Sequence, residues 1–250
     1  MKFSVCIDSV FKGLDSIAAL DQVKACGYTA FEFWMWQSRD LEALSKKAAS
    51  LGLSCAGFCT KNFFLNDPSR RVEFLEGLKE SVAAAKIMGA KFLITQSGED
   101  TGARRDFQHK AIVEGLKEAD AILKGTGVTL LLEPLNRKVD HKGTYLESSD
   151  EGFEILDEAG SENARLLFDT YHQQISEGDV IRRACANINK IAHIHAAGNP
   201  GRNELDRGEL DYNRVFKALE NAGYKGYAGL EYFPVEDPAA GLKKFLAGYK

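Results

Sequence analysis

The sequence predicts a (β/α)8 barrel, a parallel eight-stranded TIM barrel with helices outside, built as a single domain over residues 1–250. Three observations carry that expectation. Short apolar runs alternate with amphipathic stretches eight times along the chain, and strict strand-then-helix alternation implies right-handed crossovers and a parallel sheet. The length of 250 residues is the usual size of this fold. No low-complexity tract, Pro/Gly/Ser linker or shift in composition divides the chain. The competing architecture, a doubly wound open sheet, usually carries a glycine-rich phosphate loop after its first strand. Residues 8–13 read DSVFKG instead.

The strand-like runs fall, in order, at 3–7, 30–34, 54–58, 91–95, 128–132, 165–168, 191–194 and 227–230. They are short and nearly continuous in apolar residues, as strands covered on both faces are. After the second, Leu41, Leu44, Ala48 and Leu51 recur at helical spacing and Gly52 supplies the stop. After the third, Leu75, Leu78, Val82, Ala85 and Met88 mark a longer helix, with Asp67 as cap, Pro68 at its first position and Gly89 past its end. Ile112, Leu116, Ala119 and Leu123 mark the next. Val215 and Leu219 followed by Gly223 mark another, and Asp237 and Pro238 open the last, through Leu242 and Phe245.

Hydrophobic residues make up 44% and charged residues 27%, with a net charge of −4. That balance argues against a nucleic-acid partner, which a basic face would serve. The first ten residues, MKFSVCIDSV, lack the apolar region and cleavage site of a signal peptide. No apolar stretch approaches the ~20 residues that cross a bilayer, so no membrane partner is expected. Five scattered cysteines read as reduced, which points to the cytoplasm. Cys55 and Cys59 lack zinc-ribbon spacing and read as core. The sequence leaves homo-oligomer formation open.

In a barrel, residues at the C-terminal ends of the strands converge on one mouth. The fifth strand ends at Glu133. The sixth ends at Asp169, with His172 three residues on. The seventh ends at His195, with Arg202 on the following loop, and the eighth ends at Glu231. Three carboxylates at close range repel one another and are costly to desolvate, and a divalent cation removes that cost. Three oxygen donors and one imidazole suit Mn²⁺, Mg²⁺ or Co²⁺ better than a structural zinc, with Zn²⁺ admissible. Strand alternation puts His193 on the same face as His195, but deeper, so it reads as a core or surface histidine. His109 and His141 sit in polar segments and read as surface residues. Glu32 also ends an apolar run and divides evenly between a structural and a functional role. Trp34, Trp36, Phe58, Phe63, Phe64, Tyr232 and Phe233 cluster after strands two, three and eight, where they can pack the barrel top or wall a small dry pocket.

The stretches LLLEPLN, FDTYH, HIHAAGNPGRNE, GELDY and GLEYFP resemble the hydroxypyruvate isomerase family within the xylose isomerase-like (sugar phosphate isomerase/epimerase) TIM-barrel superfamily. Ketose 3-epimerases and endonuclease IV share that superfamily. The likeness runs from GYTAFEF to PAAGLK. It implies that Glu133, Asp169, His195 and Glu231 bind one divalent metal ion, that Glu133 and Glu231 are also the acid/base pair, and that His172 and Arg202 contact substrate. The implied activity is a metal-dependent isomerisation through an enediolate, on hydroxypyruvate and tartronate semialdehyde or a related 2-oxo acid. The chain departs from the pattern at His195, where bacterial hydroxypyruvate isomerases carry Gln and epimerases carry His. It departs again at NELDRGELDY, where relatives carry Pro-Gly. A hydroxy-acid needs cations near its far end, as the planar fork of Arg202 provides. A ketose instead needs hydroxyl-reading groups, as Asn203 and Glu204 offer, so a ketose 3-epimerase is the alternative. An endonuclease IV-like nuclease is the remote one, because it needs many histidines for three zinc ions and this chain has five in all.

Overall fold

The computed structural model describes residues 1–249. Eight parallel strands close in chain order into one barrel. They are β1 (Lys2–Cys6), β2 (Ala30–Phe33), β3 (Ser54–Cys59), β4 (Phe92–Gln96), β5 (Thr129–Glu133), β6 (Ala164–Asp169), β7 (Ile191–Ala196) and β8 (Tyr227–Leu230). β1 closes the ring by pairing with β8, Ser4 opposite Gly229.

The strands at the far side of the ring reach one or two residues further than the apolar runs predict. Glu133, Asp169 and His195 lie inside the ladder, opposite Gln96 in β4 for Glu133 and opposite each other for Asp169 and His195. Polar residues end an apolar run without ending a strand, because the backbone ladder continues while the side chain turns inward. The two-residue alternation therefore sends Leu131 with Glu133, Leu167 with Asp169 and His193 with His195 to one face. Cys59, Ile94, Leu131 and Leu167 form a small apolar cluster separate from the main core. The main core lies between the strands and the helices.

Helix ends follow the expected chemistry where turn residues mark them. The helix Leu41–Leu51 starts on the Asp40 carboxylate, which accepts from the Ala43 N–H at 3.0 Å, and stops at Gly52 with φ of 64°. The predicted start at Asp67 and Pro68 is different. Asp67 accepts from the Ser69 N–H at 3.0 Å and tightens Pro68–Arg70 into a 3-10 turn, so the α-helix runs Arg71–Met88. His109 is half-buried rather than a surface residue. Its Nδ1 lies 3.1 Å from Glu151 and its Nε2 3.2 Å from Glu158, so it bridges two helices. All five cysteines are free, with Cys55 and Cys59 buried. Among the described residues no helix is long and apolar enough to cross a membrane.

Candidate active site

Glu133 and Asp169 close β5 and β6, His195 is the penultimate residue of β7, and Glu231 directly follows β8. All four are at most 5% exposed. One ligand atom from each falls within 4.8 Å of every other. A cation held at about 2.0–2.4 Å by each donor requires that spacing, since opposite ligands then stand roughly 4–5 Å apart. His195 Nδ1 is 3.5 Å from Glu133 Oε1 and 3.4 Å from Glu231 Oε2, and it has no hydrogen-bond partner although it is buried. Three carboxylate oxygens and an orphaned imidazole nitrogen converging on one point fit a hard or borderline divalent cation.

The two glutamates sit in different fields. Burial raises the Glu133 carboxyl above the usual carboxylate range, although His195 opposes it. Burial acts upward on Glu231 as well, but the Arg202 guanidinium and then His195 outweigh it and hold Glu231 well below that range. Asp169 is raised, again by burial first, with Arg202 and His195 opposing.

Arg202 enters the cluster. Its guanidinium pairs with Glu231 and lies 4.0 Å from Asp169 Oδ2. Glu204 and Asp206, also on the segment after β7, pair instead with Arg207 and Lys244. Arg202 has φ of 54°, in the left-handed region, which turns the loop after β7 so that this side chain points inward. Asn203 and Glu204, the candidate hydroxyl readers, are committed to the backbone of the loop that follows β8. Asn203 Nδ2 donates to the Phe233 carbonyl at 2.8 Å, and Glu204 accepts from the Val235 and Glu236 N–H groups at 3.0 and 3.1 Å.

His172 is fully buried, in the helix Thr170–Ser176 that Asp169 itself caps. Asp169 Oδ1 accepts from the Tyr171 and His172 N–H groups at 2.8 and 3.3 Å, which leaves Oδ2 for the cluster. Asn136 fixes the state of the His172 ring. The Asn136 carbonyl oxygen accepts from the Val139 and Asp140 N–H groups, so its amide nitrogen faces His172 Nδ1 at 2.6 Å. Nδ1 therefore accepts, and the ring proton resides on Nε2. Nε2 has no hydrogen-bond partner and lies 3.5 Å from Asp169 Oδ2. Burial, then Arg202, holds the imidazole well below its usual range, hence neutral.

Several contributors were not assigned from the sequence. Trp34, one of the aromatics expected to pack the barrel top or wall a pocket, donates its indole Nε1–H to Glu231 Oε1 at 2.5 Å. Asn136 stands inside the LLLEPLN stretch without having been singled out. His141, expected on the surface, is half-buried with its ring 5.3 Å from that of His172. Of the aromatic cluster, Phe58 stacks on Phe33 and Tyr232 is buried, so both are packing residues. Phe63 and Phe64 line a cavity of about 640 Å³ beside the mouth, with Gln96, Leu135 and His141.

Residues 20–249 match the model of the xylose isomerase-like TIM barrel family. The chain is 29% identical to hydroxypyruvate isomerase of Escherichia coli (strain K12), over 97% of each chain. It is 35% identical to 2-oxo-tetronate isomerase of Cupriavidus necator, over 70% of this chain and 67% of that protein. Among solved structures, an AP endonuclease of family 2 from Brucella melitensis superposes with a TM-score of 0.94 at 24% identity, covering 100% of this chain and 99% of that one. At that identity the likeness is one of fold.

Proposed function

Because the chain belongs to the xylose isomerase-like TIM barrel family, we propose that it is a divalent-metal-dependent isomerase of a small hydroxy-oxo acid such as hydroxypyruvate or 2-oxo-tetronate. The observation that carries this reading is the convergence of Glu133, Asp169, His195 and Glu231, ligand atoms within 4.8 Å, on a point where a buried imidazole nitrogen lacks a partner.

A proton on carbon next to a carbonyl is weakly acidic, so its removal near neutral pH requires the developing oxyanion to be stabilised. A cation held by the four residues supplies that stabilisation as a Lewis acid. Glu133 and Glu231, from strands on opposite sides of β6 and β7, form the acid/base pair. One takes the proton from the hydroxyl-bearing carbon and the other returns a proton to the neighbouring carbon, while the hydroxyl proton passes to the former carbonyl oxygen, so that carbonyl and hydroxyl exchange carbons. Trp34 and Arg202 hold Glu231 by hydrogen bonds to its two oxygens, which fixes the direction of its free lone pairs. His172, neutral and with its proton on Nε2, donates to a substrate oxygen. Arg202 places a planar cation beside the reacting centre, where it meets the substrate carboxylate.

A ketose 3-epimerase is a second reading, favoured by an imidazole at 195 where the acid isomerases it resembles carry an amide. Against it, Asn203 and Glu204 are hydrogen-bonded to the backbone of the loop after β8 instead of being free to meet substrate hydroxyls. The test is incubation of Mn²⁺-loaded protein in D₂O with hydroxypyruvate, 2-oxo-tetronate and tagatose, followed by NMR. Deuterium enters the carbon next to the carbonyl of the acids. Exchange confined to tagatose C3 would replace the acid reading by the epimerase one.

A further inference from the structure

The interior of a (β/α)8 barrel is usually filled by branched apolar side chains. Here one interior layer, just below the metal-ligand candidates, is polar. Glu32 on β2, His193 on β7 and Ser4 on β1 are all buried in it, Glu32 at 2% exposure. A buried carboxylate is costly unless its oxygens are matched, and those of Glu32 are divided between two tasks. Oε2 lies 2.8 Å from His193 Nε2 and accepts from Ser4 Oγ at 3.2 Å. Oε1 and His195 Nε2, the nitrogen that faces away from Glu133 and Glu231, are both buried without a hydrogen-bond partner and lie 3.2 Å apart.

The neighbouring strand leaves room for this. Gly229 in β8 stands opposite both Ser4 and His195. A Cβ at Gly229 would overlap the Glu32 carboxylate and approach His195 Cδ2 to 2.8 Å. The space that a side chain would fill is occupied by the Glu32–His195 contact itself.

We propose that Glu32 is a positioning residue for the metal centre: it accepts the Nε2 proton of His195, fixing the tautomer and the ring plane that present Nδ1 to the cation. The proposal rests on the metal-centre reading above. A ligating imidazole nitrogen must be unprotonated, so the ring proton has to sit on the other nitrogen and needs an acceptor. Only one end of the ring faces the carboxylate cluster, and the opposite end faces Glu32. His193 and Ser4 hold the far oxygen of Glu32 and so stop the carboxylate from rotating away. Outer partners of this kind typically account for about 10–100-fold in metal affinity.

The experiment titrates Mn²⁺ into the purified full chain, reading free Mn²⁺ by electron paramagnetic resonance, for wild type, Glu32→Gln and Ser4→Ala. Turnover is then measured at saturating Mn²⁺. Glu32→Gln is expected to bind one Mn²⁺ about 10–100-fold more weakly. Its kcat and substrate KM should return close to wild type once the metal saturates, because Glu32 touches no substrate. Ser4→Ala should show a smaller loss of affinity in the same direction. Unchanged Mn²⁺ affinity in Glu32→Gln overturns the proposal. So does a kcat that fails to recover, and so does a second Mn²⁺ bound by wild type and lost in the variant, which would make Glu32 a ligand. If Glu32→Gln does not fold, Ser4→Ala decides, and an affinity equal to wild type overturns the idea. Absence of stoichiometric Mn²⁺ binding in wild type would instead sink the metal centre, and the role of Glu32 with it.

Discussion

Glu231 is held by hydrogen bonds from Trp34 and Arg202, with His195 Nδ1 3.4 Å away, whereas Glu133 has His195 Nδ1 at 3.5 Å and burial that raises its carboxyl. The two carboxyls are thus differentiated by their surroundings before any substrate arrives, as an acid/base pair requires. Glu133→Gln and Glu231→Gln should each lower kcat by at least the ~10²–10⁴-fold of acid–base catalysis, with circular dichroism unchanged. Wild-type turnover in either variant would remove that residue from the pair. Arg202→Lys should cost more in kcat/KM with hydroxypyruvate than with tagatose, because an ammonium cannot hold a carboxylate by two parallel hydrogen bonds. Equal losses on the two substrates would remove the reason to prefer an acid. The sequence placed Arg202 near the mouth but not on Glu231. That contact depends on the left-handed backbone at position 202, which no periodicity announces.

The helix Ser149–Ala159 is anchored in its first turn by Glu151, which accepts from Tyr145 Oη at 2.7 Å, lies 3.1 Å from His109 Nδ1 and pairs with Arg105. Burial pushes the Glu151 carboxyl upward, but hydrogen bonds from Tyr145, His109 and Arg105 outweigh it and lower its pKa. A carboxyl lowered in the folded state stabilises the fold above its unfolded value, about 4.3, and loses that contribution as pH falls below it. The stability difference between wild type and Glu151→Gln, from urea unfolding, should therefore be present at pH 7 and shrink toward pH 3. A difference that is constant with pH would contradict the assignment. On the opposite side of the barrel, Asp40→Ala removes the cap of the helix Leu41–Leu51 and should cost about 1 kcal/mol in the same assay. The Gly52 stop was legible because helix capping is local chemistry, whereas the Asp40 cap was not singled out. The 3-10 start at Pro68 and the His109 bridge were not legible, because one depends on how Asp67 closes its turn and the other on a neighbouring helix.

Taken whole, the barrel carries several acidic side chains to one end of its interior, so a cation bound there should stabilise the entire fold. A ligand that binds only the native state adds about 4 kcal/mol at a thousand times its Kd. Treatment with a chelator should lower Tm and abolish deuterium exchange, and Mn²⁺ should restore both. A Tm indifferent to chelator and to added Mn²⁺ would argue that the cluster holds no metal. The sequence by itself determined the barrel and the four ends that build the site. Strand alternation, apolar runs and the chemical types of Glu133, Asp169, His195 and Glu231 are all written within a few residues of each position. Tertiary structure alone decided what surrounds them. Glu32 meets His195 from 163 positions away in the chain, Trp34 meets Glu231, and Asn136 sets the tautomer of His172. Hydrogen-bond direction and ring orientation arise only when distant strands close on one axis, and the proposed holding of a cation and movement of a proton depend on those properties.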